Sequence, residues 1–219
     1  AGSVWNNIMI NLNQPFSFDV DVFLGCNGGG ADGIAFVLQP VSTSLGSTGG
    51  GIGYQSISPS FAVEFDTWLN SQYSDPWYNH AAIQKNGNLN HSGPSNLAGP
   101  VGFPPTGFSS IEDCQWHKAI FNWDPATTNF TLDFDGVQIL NYTGDIVNTI
   151  FNGNPNVYWG FTGSTGGANN LQRFRFNYDL PDTTICQNDS IIINSLTTAS
   201  SFTYNWSPNY NISNNTLRS

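Results

Sequence analysis

Charge is the scarcest property of this chain. Asp, Glu, Lys and Arg together make 9% of its 219 residues, against about 25% in an ordinary soluble domain, and no Lys or Arg occurs before Lys85. Five Lys and Arg face fifteen Asp and Glu, for a net charge of −10. That balance opposes nucleic acid and anionic membranes as partners and leaves cations and neutral polar ligands. Also missing is any apolar run approaching the ~20 residues of a membrane helix, so membrane insertion is not expected. The chain does not open with a basic, then apolar, leader, as a cytosolic or a processed product would not. No long amphipathic helix is visible. Cysteines number three; Cys26 and Cys114 each adjoin an expected strand end, a placement compatible with one bridge or with free thiols.

Gly, Asn, Ser, Thr and aromatic residues are abundant instead, and they are arranged for strands. In "FSFDVDVFL" Phe16, Phe18, Val20 and Val22 alternate with Ser17, Asp19 and Asp21, the period of two of a strand with one buried face. The same pattern fits "GIAFVLQ", "FAVEFDTW", "HKAIFNW", "FTLDFDGVQIL", "VYWGFTG" and "LQRFRFNYDL". Gly- and Asp-rich turns such as "GCNGGGADG", "GSTGGGIG" and "FDGV" separate them. Many short strands with such turns predict an all-β sandwich of the jelly-roll kind. Near residue 179 the pattern changes. Pro181 marks a break, and "SIIIN" with "FTYNWSP" opens what looks like another β module, its Cys186 and Trp206 spaced as in an immunoglobulin-like sandwich whose later strands are missing. The expected division is one domain over 1–178 and a linker with a partial module over 179–219.

The stretch "AVEFDTWLNSQYSDPWYNH", residues 62–80, concentrates the rare acids. On a strand Glu64 and Asp66 share a face, and with no Lys or Arg before position 85 a divalent cation is the available local neutraliser. Asp66, the Trp68 carbonyl, Asn70 and Asp75 form an all-oxygen set suited to Ca2+. Glu64, Asp66, Asp75 and His80 form a mixed oxygen and nitrogen set suited to a transition ion such as Mn2+. The bland alternative is a polar turn begun at Asp75-Pro76.

The spacing E-x-D-x-[aromatic]-x-N-x4-D-P-x3-H resembles the metal-binding loop of the legume-type (L-type) lectins, with every ligand position filled. "ADGIAFVLQ" resembles the strand whose Asp, after a non-proline cis peptide, binds sugar in that family, which implies that role for Asp32 and a cis Ala31–Asp32 bond. "GGGIGY" resembles the glycine loop and points to Gly50 and Gly51. "GFTGSTGGANN" resembles the loop that sets monosaccharide choice and points to Gly167, Ala168 and Asn169. The matches run in family order over roughly 1–178. "WNN", "FLGC", "EDCQWH" and "NNLQRFRF" resemble the lectin domains of secreted Bacteroidota surface proteins, a likeness that implies a Cys26–Cys114 disulfide in an oxidising compartment. One departure is the absence of a strand before "GSVWNN"; another is "AAIQ" after His80, where a more branched run is usual.

The resemblance implies a concanavalin-like jelly roll of two antiparallel sheets. It implies a calcium-dependent, non-enzymatic carbohydrate-binding domain holding Ca2+ and a second divalent ion, Mn2+ or Ca2+. Its partners would be glycans or polysaccharides, and its setting a multidomain or multivalent adhesin outside the cell or on its surface. Asp32 would accept sugar hydroxyls, Asn70 and Gly50 would donate, and Trp68 would offer an apolar face. One rival is a structural module without sugar binding. The other is a laminarinase-like glycosidase, which needs E-x-D-x-x-E; Leu69 replaces its last acid. His91 and His117 are expected to lack carboxylate partners, Trp116 and Trp159 to be core aromatics, and Arg173 and Arg175 to lie on a solvated face.

Overall fold

The alternating segments form strands at the expected places. A computed structural model describes residues 1–107 and 109–177; the linker and partial module expected over 179–219 lie outside the described residues. The strands are β1 (Gly2–Trp5), β2 (Ile10–Asn11), β3 (Phe16–Phe23), β4 (Gly33–Gln39), β5 (Phe61–Asp66), β6 (His80–Lys85), β7 (Asn96–Gly102), β8 (His117–Asp124), β9 (Asn129–Phe134), β10 (Val137–Thr143), β11 (Asn156–Ser164) and β12 (Arg173–Phe176). The single α-helical turn among the described residues is α1 (Ile146–Thr149), capped by the Asp145 side chain on the Asn148 amide. Asp135 and Gly136, both at positive φ, turn β9 into β10.

All pairings are antiparallel. One seven-stranded sheet has the order β1-β11-β4-β5-β6-β7, with β2 also on β11; the five-stranded sheet runs β10-β9-β8-β3-β12. This is the jelly-roll sandwich predicted from the turn spacing. Between the sheets lies a layer of aromatic rings: Phe36 stacks on Phe121 at 4.6 Å and Phe18 on Trp159 at 4.4 Å between centroids, while Phe61 meets Phe130 edge-on at 4.8 Å. Each such buried ring contributes roughly 1.5–3 kcal/mol through apolar area removed from water.

The seven-stranded sheet is covered on its other face as well. Every residue of β4 and β5 is buried, because a second small core forms under the loops from Ala35, Val37, Ile52, Tyr54, Ile57, Ala62 and Leu89. Alternation along β5 therefore sends Phe61 and Phe65 into the sandwich and Ala62, Glu64 and Asp66 under the loops. Register sets the neighbours: Glu64 lies between Ala35 of β4 and Ala82 of β6, and Asp66 between Gly33 and His80. Ala35 and Ala82 leave room for the Glu64 side chain, which gives the short residues of "AAIQ" a physical reason. Gly33, opposite Asp66, is needed for the backbone instead: at φ +138 its Cβ would fall 2.2 Å from the Phe65 carbonyl oxygen, a position only glycine can take.

Candidate functional site

The acidic stretch folds into one buried cluster at the end of β5 and β6. Glu64 is 0% exposed, Asp66 2% and His80 1%. Ligand-capable atoms of Glu64, His80 and His91 all lie within 4.8 Å of one another, and so do those of Asp66, Asp75 and His80. His80 belongs to both groups. The Tyr54 hydroxyl, fully buried, donates to Glu64 Oε2 and leaves Oε1 facing His91 Nε2 at 2.7 Å. The loop between β5 and β6 is tied to the cluster by its own backbone: the Trp68 amide donates to Asp66 Oδ1 (2.8 Å) and the Asn70 amide to Asp75 Oδ2 (2.6 Å).

The electrostatics are those of buried carboxylates crowded around two histidines. Burial, then the neighbouring Glu64 and Asp75 carboxylates, push the Asp66 pKa well above the usual carboxylate range. Burial also raises Tyr54, with the Glu64 charge adding to it, and holds His80 below an ordinary histidine. Burial alone would lower His91, but the Asp75 and Glu64 carboxylates outweigh it and raise its pKa to about 10. Asn70 Oδ1 is buried without a hydrogen bond, and Asp75 Oδ1 has only the His91 ring at 3.2 Å. An unsatisfied buried oxygen costs about 1–3 kcal/mol, and Asn70 Oδ1 sits with the rest of an oxygen-rich donor set. That chemistry fits a divalent cation.

Asp32 lies beside the cluster, because the next residue, Gly33, pairs with Asp66. Asp32 follows the cis Ala31–Asp32 peptide; its amide donates to Ser164 O (3.0 Å), and its carbonyl accepts from the Thr67 amide (3.1 Å), so β11 and the loop after β5 hold it from two sides. Its side chain is buried, with Oδ2 unpartnered, and burial raises its pKa. The glycine loop, a 3-10 turn at Gly49–Gly51, is fastened by the Ser164 hydroxyl donating to Gly49 O. A Cβ on Gly50 would touch the Asn70 amide group at 3.0 Å, and one on Gly166 would lie 3.8 Å from Asp32 Oδ2 and 4.0 Å from the Gly49 Cα. Asp32, Gly166, Gly49, Gly50 and Asn70 are thus successive neighbours. Trp68, 38% exposed, follows at the rim. Gly51 is buried, with its α-carbon turned toward Gln55; Gly167 and Asn169 are exposed, Ala168 half-exposed, and the Ala168 carbonyl closes the loop on the Gly166 amide at 3.1 Å.

This geometry coincides with a family match: the legume lectin β-barrel domain profile covers residues 1–178. The chain belongs to the legume lectin family. The serine-rich adhesin for platelets of Staphylococcus aureus is 30% identical over 207 residues, 80% of this chain but 14% of the adhesin. Across the first curated relatives the chain spans at most 27% of their length. In structure it resembles lectin II from Ulex europaeus (TM-score 0.58, 21% identity, 79% of this chain and 77% of that one). It also resembles the Bauhinia forficata lectin in complex with GalNAc (TM-score 0.53, 21% identity, 77% and 75%). Legume lectin domains bind carbohydrate and metal ions and are not enzymes. Leu69, at the place of the missing glycosidase acid, is 54% exposed.

Several features of the lectin domain differ from the sequence reading. His91 has carboxylate partners on both ring nitrogens, Glu64 Oε1 at 2.7 Å and Asp75 Oδ1 at 3.2 Å, because the loop after β6 folds back over β5. His117 also has two, Asp135 at 2.8 Å and Asp113 at 3.1 Å. Trp159 is buried, but Trp116 is 37% exposed, with the Arg175 guanidinium 4.5 Å above its ring. Cys26 and Cys114, by contrast, are joined by the disulfide that the family resemblance implied. Near them is a network that sequence reasoning missed: Asn170 accepts from the Cys26 amide (3.2 Å) and donates to Asn27 O (3.0 Å) and to buried Glu112 (2.8 Å). It fixes the loop leading to Asp32. Tyr54 and Gly166 were missed as well; nothing at their own positions distinguishes a buried tyrosine or a loop glycine from any other.

Proposed function

We propose that this lectin domain binds glycans in a calcium-dependent manner as part of a secreted or cell-surface adhesin. The observation that carries the reading is the convergence of Asp32, with its buried and unpartnered Oδ2, on the Gly49–Gly50 turn, Asn70 and Gly166. An ionised carboxylate there accepts two hydroxyl protons of one sugar ring, while the Asn70 amide and the Gly50 N–H donate to ring hydroxyl oxygens. Trp68 covers the ring's C–H face. Gly167, Ala168 and Asn169, on the exposed edge of the neighbouring loop, select among sugars.

Asp66, the Trp68 carbonyl, Asn70 and Asp75 would hold Ca2+, and Glu64, Asp66, Asp75 and His80 a second divalent ion. The bound ions supply positive charge that neutralises the carboxylates and fixes the loop. With Asn70 Oδ1 committed to that side, its NH2 group is oriented toward sugar. Asp32 and Asn70 are then set before the ligand arrives, which lowers the ordering cost of binding. A shallow polar site of this size binds a single sugar at about 1 mM, or about −4 kcal/mol, so adhesion requires several copies. The adhesin relative, far longer than this chain, supports a multidomain setting.

A glycan array run with wild type and Asp32→Ala tests the proposal. Wild type retains a defined set of glycans and Asp32→Ala retains none while keeping its thermal transition. Equal binding by the variant would overturn the reading.

A further inference from the structure

We infer that His91 is a direct ligand of the second ion, so that this site is built on two imidazoles and takes a nitrogen-preferring transition ion, the Zn2+, Co2+ and Ni2+ class, in preference to Ca2+. The inference deepens the metal reading above and depends on it. His91 lies outside the spaced motif of residues 64–80; the fold delivers it.

The two histidines face each other through Nε2 at 3.2 Å, and Glu64 Oε1 stands 2.7 Å from His91 Nε2. The other nitrogen of each ring already faces acceptors. His80 Nδ1 is 3.2 Å from the Tyr78 carbonyl oxygen. His91 Nδ1 is 3.3 Å from the Tyr73 carbonyl oxygen and 3.2 Å from Asp75 Oδ1. An Nδ1–H on each ring satisfies these acceptors and leaves a lone pair on each Nε2, the tautomer that metal-bound histidine adopts when its far nitrogen donates to a carbonyl or carboxylate. Two lone pairs and a carboxylate oxygen then point at one another inside a buried site, an arrangement that repels unless a cation lies among them. The separations suit one. Ligands at about 2.1 Å from an ion are about 3.0 Å apart at right angles and about 3.4 Å apart at the tetrahedral angle; the 3.2 Å between the two Nε2 atoms lies within that range, and the 2.7 Å to Glu64 falls just short of it. His91 is 8% exposed; its backbone amide is anchored on Tyr73 O at 2.9 Å and its carbonyl on the Asn96 side chain at 3.1 Å. Imidazole is uncommon around Ca2+ and favoured by later first-row ions, so a second imidazole shifts selectivity further in that direction.

The rival role for His91 is an imidazolium bridging Glu64 and Asp75 outside the ion's coordination shell. X-ray absorption of the intact chain, loaded with one equivalent of Zn2+ in excess Ca2+, separates the two by counting imidazoles around zinc. Two in wild type and one in His91→Gln, with zinc affinity falling on the order of 10–100-fold or more and the variant's circular dichroism unchanged, is the expected result. One imidazole in wild type, or zinc displaced by excess Ca2+, would overturn the inference while leaving calcium-dependent sugar binding intact. Failure to take up either ion would overturn the metal reading as a whole. If His91→Gln does not fold, the wild-type count and the Zn2+/Ca2+ competition still decide.

Discussion

At the residue scale, the lectin site depends on a few atoms whose surroundings leave them no second use. Tyr54 is the clearest: its hydroxyl occupies Glu64 Oε2 inside the loop-side core. Tyr54→Phe removes a donor to a buried carboxylate, and we expect a loss of about 1.5–3 kcal/mol in urea denaturation together with weaker uptake of the second ion. Gly50 is the corresponding test on the sugar side. A valine there presses on both the Oδ1 and the Nδ2 of Asn70, so Gly50→Val should abolish glycan retention on the array and weaken calcium uptake in calorimetry, since the same side chain is proposed to hold Ca2+. The clustering of the proposed ligands between 64 and 80 was legible because strand alternation and a short loop bring them together locally. His91 was not, being 27 residues from Glu64 on a loop whose path depends on the strand before it. The same holds for Asn170 and Glu112, which meet across 58 positions.

At the element scale, the expected strands were legible because half-buried strands advertise their period. β7 was not: "NLAGPVG" carries two glycines and a proline, and an edge position is where a strand tolerates them. On the opposite sheet, β12 is held to β3 by Asp21, which accepts from Arg175 at 2.8 Å and from Asn177 at 2.5 Å. Burial alone would raise the Asp21 pKa, but these bonds outweigh it and hold it below the usual value of 3.8. A lowered folded pKa contributes stability above the unfolded value that is lost as pH falls through the folded one. Asp21→Asn should therefore cost about 1 kcal/mol at pH 7, since Arg175 is largely exposed, and less at pH 2, as measured by urea midpoints at both. The loop carrying Asp32 is set by the disulfide, which closes 88 residues. Its removal by Cys26→Ser with Cys114→Ser should lower stability by about 2–5 kcal/mol.

At the scale of the whole molecule, few charges and a net of −10 would make the proposed ions the dominant local charges. Without ions, Asp66 and His91 both have raised pKa values, His91 to about 10. A raised value means that the folded chain holds protons the unfolded chain has released. His91 thus contributes stability that is complete below its unfolded value of 6.5 and lost as pH rises through about 10; Asp66 acts in the same direction from 3.8 upward. The chelated domain should melt at lower temperature as pH rises from 6 to 9. The ion-loaded domain should not, because ions bind the deprotonated ligands and gain as protons leave; differential scanning calorimetry across that range checks the divergence.

The central claim is that the ions make the sugar site, and titration of one glycan from the array before chelation, after it, and after reloading tests it most directly. The account predicts binding, then no detectable binding, then recovery with Ca2+ and the second ion together. Undiminished glycan affinity in the chelated, metal-free domain would contradict it.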